Sequence, residues 1–424
     1  MLDRLKPKSE FSRNVLTLMT GTTIAQAIPI VIAPILTRIY TPEDFGFFAF
    51  YFSIAAILSV TVSGRYELAI ILPKRKSHAI QLVFLSWLII LIISLTIGII
   101  IWLFNNEIIT FIDNDKLSKW LFFIPFSVLL AGFYQSLYYW FNREKYYKGM
   151  SNSRIIQSSG MVSMQSVLGW GGKIGGIGLI LGHFFGQLIS VAFLLKIFLR
   201  EERKAKTMLR IQAKKQLILA RRYINFPKYM VPGHLMSAFS ILSPNILLSI
   251  FYTVVSAGYY ILVHRVISSP MSIIGSTFSD VFRKEADEQI KKNGDCKALF
   301  KRTLKHLVFI SLIPFLIFYF LATDLFVFVF GEDWQMAGVY AKILTPMFFL
   351  QFIARPLSVL YIIRERQKQY FYTQLLLAIF VTMSFFLFNK IEHTIVFISL
   401  SFSLMYLSLL VNSYFYSREI KWRN

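Results

Sequence analysis

Long apolar runs, separated by short polar ones, set the pattern of this chain. Stretches of about 20 residues with almost no charge recur from Asn14 to the C-terminal region, long enough to cross ~30 Å of hydrocarbon at 1.5 Å per residue. Twelve such spans stand near 14–37, 45–64, 79–104, 120–141, 154–170, 174–199, 231–252, 257–281, 305–330, 338–363, 369–388 and 393–417. Backbone amides in hydrocarbon need partners within their own segment, so every span reads as a helix. The runs are continuous and lack the alternation of membrane strands, which excludes a barrel. The pattern predicts an all-α polytopic membrane protein of about twelve transmembrane helices.

The polar segments between the spans are unequal in charge. With both termini and every second connection on one side, that side holds 36 of the 45 Lys and Arg residues and the other holds 5. Under the positive-inside rule, the rich side and both termini are cytoplasmic. The most basic connection, Arg200 to Lys228, divides six spans from six. It predicts a first lobe over 1–205, a basic cytoplasmic linker reaching about 228, and a second lobe over 206–424. The linker reads either as an amphipathic helix at the headgroups or as a solvated connection. A weak internal repeat agrees with two halves. Pro34 precedes Gly46, which opens a span with Phe47 and Phe48; Pro244 precedes Gly258, which opens another with Tyr259 and Tyr260.

Composition adds little that the pattern does not already imply. Apolar residues make up 56% of the chain, charged residues 16%, and mean hydropathy is +0.58. The net charge of +23 follows from the one-sided loops and calls for no nucleic acid. Cys296 is the single cysteine, so no intrachain disulfide can form and no thiolate metal site is expected. Ala25-Gln26-Ala27 resembles a signal cleavage site, but the apolar run continues past it as a true span would. There is no GxxxxGK[ST] loop, and Gly178, Gly182 and Gly186 read as a helix-packing face. His183 and His306 stand alone, and no residue spacing suggests catalysis or metal binding. The expectation is a protein that is not an enzyme and carries no cofactor.

Two stretches are more specific. The loop after the first span reads TRIYTPEDFG, from Thr37 to Gly46, and the second span ends in RYELAIILP, from Arg65 to Pro73. Further on, FGEDWQMAG keeps Phe330, Gly331, Trp334, Ala337 and Gly338. These resemble the signatures of Wzx-like oligosaccharide flippases of the multidrug/oligosaccharidyl-lipid/polysaccharide exporter (MOP) superfamily. The resemblance implies two pseudo-symmetric six-helix bundles of the MATE/MOP type around a central cavity. It implies a substrate of undecaprenyl-diphosphate-linked oligosaccharide, flipped across the bacterial cytoplasmic (inner) membrane for O-antigen, lipopolysaccharide or capsule synthesis. Membrane lipid and polysaccharide-assembly proteins would be the partners. With no ATP site, an H+ or Na+ gradient or consumption of the product would drive transport.

Charges inside spans are costly, so those present are candidates for function. Arg265 lies well inside the eighth span with His264 beside it, and no span offers an obvious interior carboxylate to pair with it. A guanidinium fork matches phosphate oxygens. Arg355, before Pro356 in the tenth span, and Arg38, after the first, complete the set of candidate cavity cations. Lys342 reads as a side chain reaching the membrane edge. Arg65 and Glu67 read as a local pair, structural or gating. Pro34, Pro244 and Pro270 lie inside spans 1, 7 and 8 and suit helices that bend. Tyr134, Tyr138, Tyr139 and Trp140 form either an interfacial belt or sugar-stacking faces. Two alternatives remain: a multidrug exporter of the same fold, which would favour acidic cavity residues, and a membrane polysaccharide polymerase, whose catalytic outer loops are missing here.

Overall fold

The computed structural model describes residues 10–112, 120–172, 174–204 and 212–418. Among these residues every regular element is helical. The helices are α1 (Glu10–Ile39), α2 (Pro42–Ser59), α3 (Lys76–Leu103), α4 (Asn105–Ile112), α5 (Ile124–Arg143), α6 (Tyr147–Gly172), α7 (Gly176–Lys204), α8 (Ala213–Arg222), α9 (Val231–Phe251), α10 (Val254–Asn293), α11 (Lys297–Phe330), α12 (Gln335–Leu357), α13 (Leu360–Ile363), α14 (Gln367–Leu387) and α15 (Ile391–Ser417). All but the short α4, α8 and α13 correspond one to one to the twelve expected spans.

Among the described residues, eight helical segments are apolar and long enough to cross a membrane by length and composition alone. The long helices outside that set are α2, α5, α6 and α10. Each mixes apolar residues with Ser, Gln, Tyr or charge, and helices of that kind turn their polar face towards protein or water rather than lipid. Large apolar side chains are exposed on the longer apolar helices: Phe309 and Phe328 of α11 are each more than 70% exposed.

The chain divides into two compact units, residues 1–40 with 47–238, and residues 41–46 with 239–424. The division falls at Ala238 rather than at the expected 205, because the segment after the linker packs on the first unit. There the Gln212 amide donates to Gln81 Oε1 at 3.0 Å, Tyr66 donates its hydroxyl to the Ala220 carbonyl at 3.0 Å, and Leu219 is buried. Residues 213–222 are therefore helical. Residues 205–211 of the expected linker lie outside the described residues, as does Lys173.

The first unit packs around Leu82, Leu137, Trp140, Leu194 and Phe198, from α3, α5 and α7. The second packs around Phe282, Phe300, Leu307, Leu357 and Leu360, from α10 to α13. Two boundaries differ from expectation. The second span ends as α-helix at Ser59, not at 64, and a turn then leads through Arg65 into a 3-10 helix, Tyr66–Ile71. Conversely, the expected loop 282–305 is almost wholly helical. α10 has 40 residues, about 60 Å at 1.5 Å per residue, twice a hydrocarbon core. Gly294, at φ 80°, caps it in the left-handed conformation. Arg364, expected in a solvated basic loop, is buried and holds this tip: its Nη2 donates to the Gly294 carbonyl at 2.7 Å and its Nε to the Tyr416 carbonyl at 3.0 Å. Cys296 sits in the same tip, and burial pushes its thiol up to about 11.

Candidate functional site

In the second unit the site is built on α10. Thr253 caps the helix, its hydroxyl accepting from the Ser256 amide at 3.2 Å. One turn later Gly258 allows a close crossing with residues Pro42–Gly46, which pack in this unit. A Cβ on Gly258 would come 1.9 Å from the Pro42 carbonyl oxygen, and one on Gly46 would come 1.8 Å from that of Val254. Each glycine thus meets the residue four before the other, so the contact is reciprocal. Only hydrogen at both positions lets the two backbones approach this closely.

That crossing carries Phe45 to Arg265, whose guanidinium lies 5.9 Å from the ring centroid. The Phe45 ring stands edge-on to Trp334 at 4.9 Å, Trp334 meets Tyr259 at 6.1 Å, and Tyr259 meets Tyr340 at 5.9 Å. The half-buried arginine therefore rests against an aromatic wall. His264 turns elsewhere. It packs between Tyr260, 4.5 Å away, and Phe348, 5.0 Å away, which is the setting of a core side chain.

Arg355 of α12 is exposed. With the Gln351 amide oriented oxygen-first, that oxygen accepts from Arg355 Nη2 at 2.8 Å and from Nε at 3.1 Å. A cavity of about 220 Å³ opens beside them. α12 contributes Gln351 and Arg355, and α10 contributes Ser268, Ser272, Ser276 and Ser279. Tyr370 and Tyr406 lie within electrostatic reach of the guanidinium. Lys342 is exposed, with its ammonium 5.4 Å from the Tyr319 ring.

In the first unit, Arg65 and Glu67 come together. Glu67 is fully buried and accepts from Ser63 Oγ and, at 3.3 Å, from Arg65 Nη1. Arg65 Nη2 also meets His234 Nδ1 at 2.7 Å, tying the turn to α9. Arg65 itself has φ 62°, a conformation costly for a residue with a side chain. Arg38, in the last turn of α1, is exposed, where its charge suits the helix dipole. Pro34 and Pro244 lie inside α1 and α9, and Pro270 lies inside α10 with an exposed ring.

Three features escaped the sequence reading. Arg154, counted with a loop, stands inside α6. Its Nη1 donates to Thr22 Oγ1 at 2.6 Å and its Nη2 to the Tyr138 hydroxyl at 2.7 Å, with the guanidinium 4.8 Å over the Tyr138 ring. That ring face is thus already occupied. Asp324, a carboxylate within the ninth span, is exposed near the end of α11. The serine row of α10 was legible as a spacing, but nothing in the sequence says that α12 brings Arg355 opposite it.

Comparisons with known proteins agree with the fold. The family model for "Polysaccharide biosynthesis protein" matches residues 35–338. No curated protein sequence matches significantly. Solved structures with the same fold include the lipid II flippase MurJ in an inward closed conformation, with TM-score 0.74 and 14% identity over 94% of this chain and 87% of that one. An inward-facing multidrug resistance MATE family transporter of the MOP superfamily gives 0.65 and 10% identity over 93% of both chains. The MATE multidrug transporter DinF-BH gives 0.64 and 16% identity over 94% and 93%.

Proposed function

The chain belongs to the polysaccharide biosynthesis protein family and has the all-α polytopic fold of MOP transporters, and from that premise we propose that it is a flippase for lipid-linked oligosaccharide. The substrate in this reading is an oligosaccharide repeat unit on a polyprenyl diphosphate of the undecaprenyl type. It passes from the cytoplasmic to the outer leaflet of a bacterial inner membrane by alternating access, for O-antigen, lipopolysaccharide or capsule synthesis. Both termini then face the cytoplasm, and an H+ or Na+ gradient or consumption of the product drives the step.

The observation that carries the reading is the exposed Arg355 guanidinium on a membrane helix, held by an amide rather than a carboxylate. A cation left open in this way suits an anionic substrate. It argues against a binding site for cationic drugs. Arg265 supplies the second cation, set against an aromatic wall on the helix that also lines the Arg355 cavity.

The test is a glycan profile of a deletion strain. Single lipid-linked repeat units should accumulate on the cytoplasmic leaflet. Repeat units that are exported but not polymerised would point to a polymerase instead. In the complemented strain, Arg265→Ala should abolish export and Arg265→Lys should leave part of it, because lysine keeps the charge and loses the fork. Membrane levels of both variants should match wild type. Wild-type export by Arg265→Ala would remove this residue as an anion anchor.

A further inference from the structure

The ten residues of α8, AKKQLILARR, include Lys214, Lys215, Arg221 and Arg222 and no acid. On a projection at 100° per residue, the buried Gln216 and Leu219 and the half-buried Ala220 share one side, which packs on the first unit. Leu217, Arg221, Lys214, Ile218 and Arg222 fall on the opposite side, within roughly 140° of arc. All five are exposed, Leu217 by 56% and Ile218 by 58%. The helix therefore turns Leu219 to the protein and presents two further aliphatic side chains outward, interleaved with cations.

The contacts of α8 fix its depth. The Gln212 amide, just before the helix, donates to Gln81, which lies about 7.5 Å along α3 from its start at Lys76. α3 has 28 residues and is about 42 Å long against ~30 Å of hydrocarbon, so roughly 6 Å at each end stands among headgroups. α8 thus begins at the boundary between headgroups and hydrocarbon. Tyr66 holds its far end through the Ala220 carbonyl. The 3-10 helix that carries Tyr66 repeats the composition: Ile71 and Leu72 are exposed, and so are Lys74 and Arg75 after them. The extension of α10 differs. From Phe282 to Asn293 it sets Glu285, Asp287 and Glu288 among four cations, and Phe282, Ala286 and Ile290 are buried or half-buried. That is the pattern of a solvated helix, and α8 has neither the acids nor the burial.

We infer that the outer face of α8 is a docking surface for anionic phospholipid. Lys214, Arg221 and Arg222 meet the phosphates of the headgroups, and Leu217 and Ile218 enter the first carbons of the acyl chains. Water alone would leave the two aliphatic side chains without a partner, and hydrocarbon alone would strand the cations. The surface of a phospholipid layer satisfies both kinds of side chain at the spacing of one residue. The lysine and arginine stems lie along its apolar part while their heads reach phosphate. Four positive charges without a counter-charge on the helix select anionic over zwitterionic headgroups. The inference goes beyond the flippase reading and does not depend on what the protein carries.

The test uses the full-length protein in lipid nanodiscs, with Cys296→Ala and a bimane fluorophore carried on Ile218→Cys, an apolar label where an apolar side chain stood. The nanodiscs hold equal parts of phosphatidylcholine and phosphatidylglycerol, and one or the other carries a quenching nitroxide on its acyl chain near the headgroup. The expected result is quenching by the phosphatidylglycerol nitroxide about threefold stronger than by the phosphatidylcholine nitroxide, narrowing at high salt. Lys214→Gln, Lys215→Gln, Arg221→Gln and Arg222→Gln together should make the two equal. Arg221→Lys with Arg222→Lys should keep the preference, because both charges remain. Arg283→Gln, Lys284→Gln, Lys291→Gln and Lys292→Gln together remove the same charge from α10 and should also keep it. Absence of quenching by either lipid places the face in water or under another protein and overturns the inference. Equal quenching in the protein with its cations intact shows contact without headgroup recognition and overturns it as well. Loss of the preference in the α10 variant assigns it to net charge rather than to this face, with the same consequence.

Discussion

Arg65, in a turn of the first unit, and Arg355, in the last turn of α12 in the second, have opposite surroundings. The Arg65 side chain is 12% exposed and is enclosed by Glu67 and His234, with Ser63 holding the other carboxylate oxygen. Its charge is neutralised on the spot, and its contacts join a turn to a helix far along the chain. Arg355 is open, leans on a neutral amide and faces a cavity lined by serines of α10 together with Met271, Phe352 and Pro356. An arginine in a membrane protein is thus no marker of function by itself. Whether the fold encloses its guanidinium and takes up its donors decides whether it holds the fold or waits for a ligand. Arg154 falls between them: partly buried and fully engaged, but by hydroxyls and an aromatic face.

The largest test of this contrast is Glu67→Ala. It strands a nearly buried guanidinium and takes the acceptor from Ser63, a loss on the order of 3–5 kcal/mol. Folded protein recovered from membranes should drop sharply and thermal unfolding in detergent should move well below wild type. Replacing both partners with methionine should recover most of the loss, since a buried pair can be exchanged for apolar volume at little cost. An unchanged melting temperature in Glu67→Ala would remove the structural half of the contrast.

Arg355→Ala should act the other way round. Removal of an exposed side chain without a carboxylate partner should change stability by no more than about 0.5 kcal/mol. Glycan export should fall roughly tenfold, the value of one charge-assisted hydrogen bond of about 1.5 kcal/mol. A variant that melts early and exports normally would make Arg355 a second structural arginine and erase the distinction. The smallest effect is expected from His234→Ala. It deletes an exposed contact to Arg65 and leaves Glu67 in place, so a loss of about 1 kcal/mol or less should appear in the same melting assay. A larger loss would show that the histidine, not the carboxylate, secures the turn.

The helical class and the existence of the twelve long helices were legible in the sequence, because a bilayer imposes its requirement locally. A run of residues either can or cannot satisfy its own amides and tolerate hydrocarbon, and that is decided within about 20 positions. The family was legible for a similar reason, since TRIYTPEDFG and RYELAIILP are contiguous. Element ends were less so. The second helix stops at Ser59 although the apolar run continues to Gly64, and the turn that follows leads into Arg65 at φ 62°, beside Glu67. α10 runs on past Val281 as helix because Phe282 and Ala286 find a partner face on α11, which no run of polar residues announces. The roles of the charges belonged to tertiary structure altogether. Arg65 and His234 are 169 positions apart, and Arg355 faces serines some 80 positions earlier on α10. An ionic group acts on whatever lies within a few ångströms, and only the packed chain determines which residues those are.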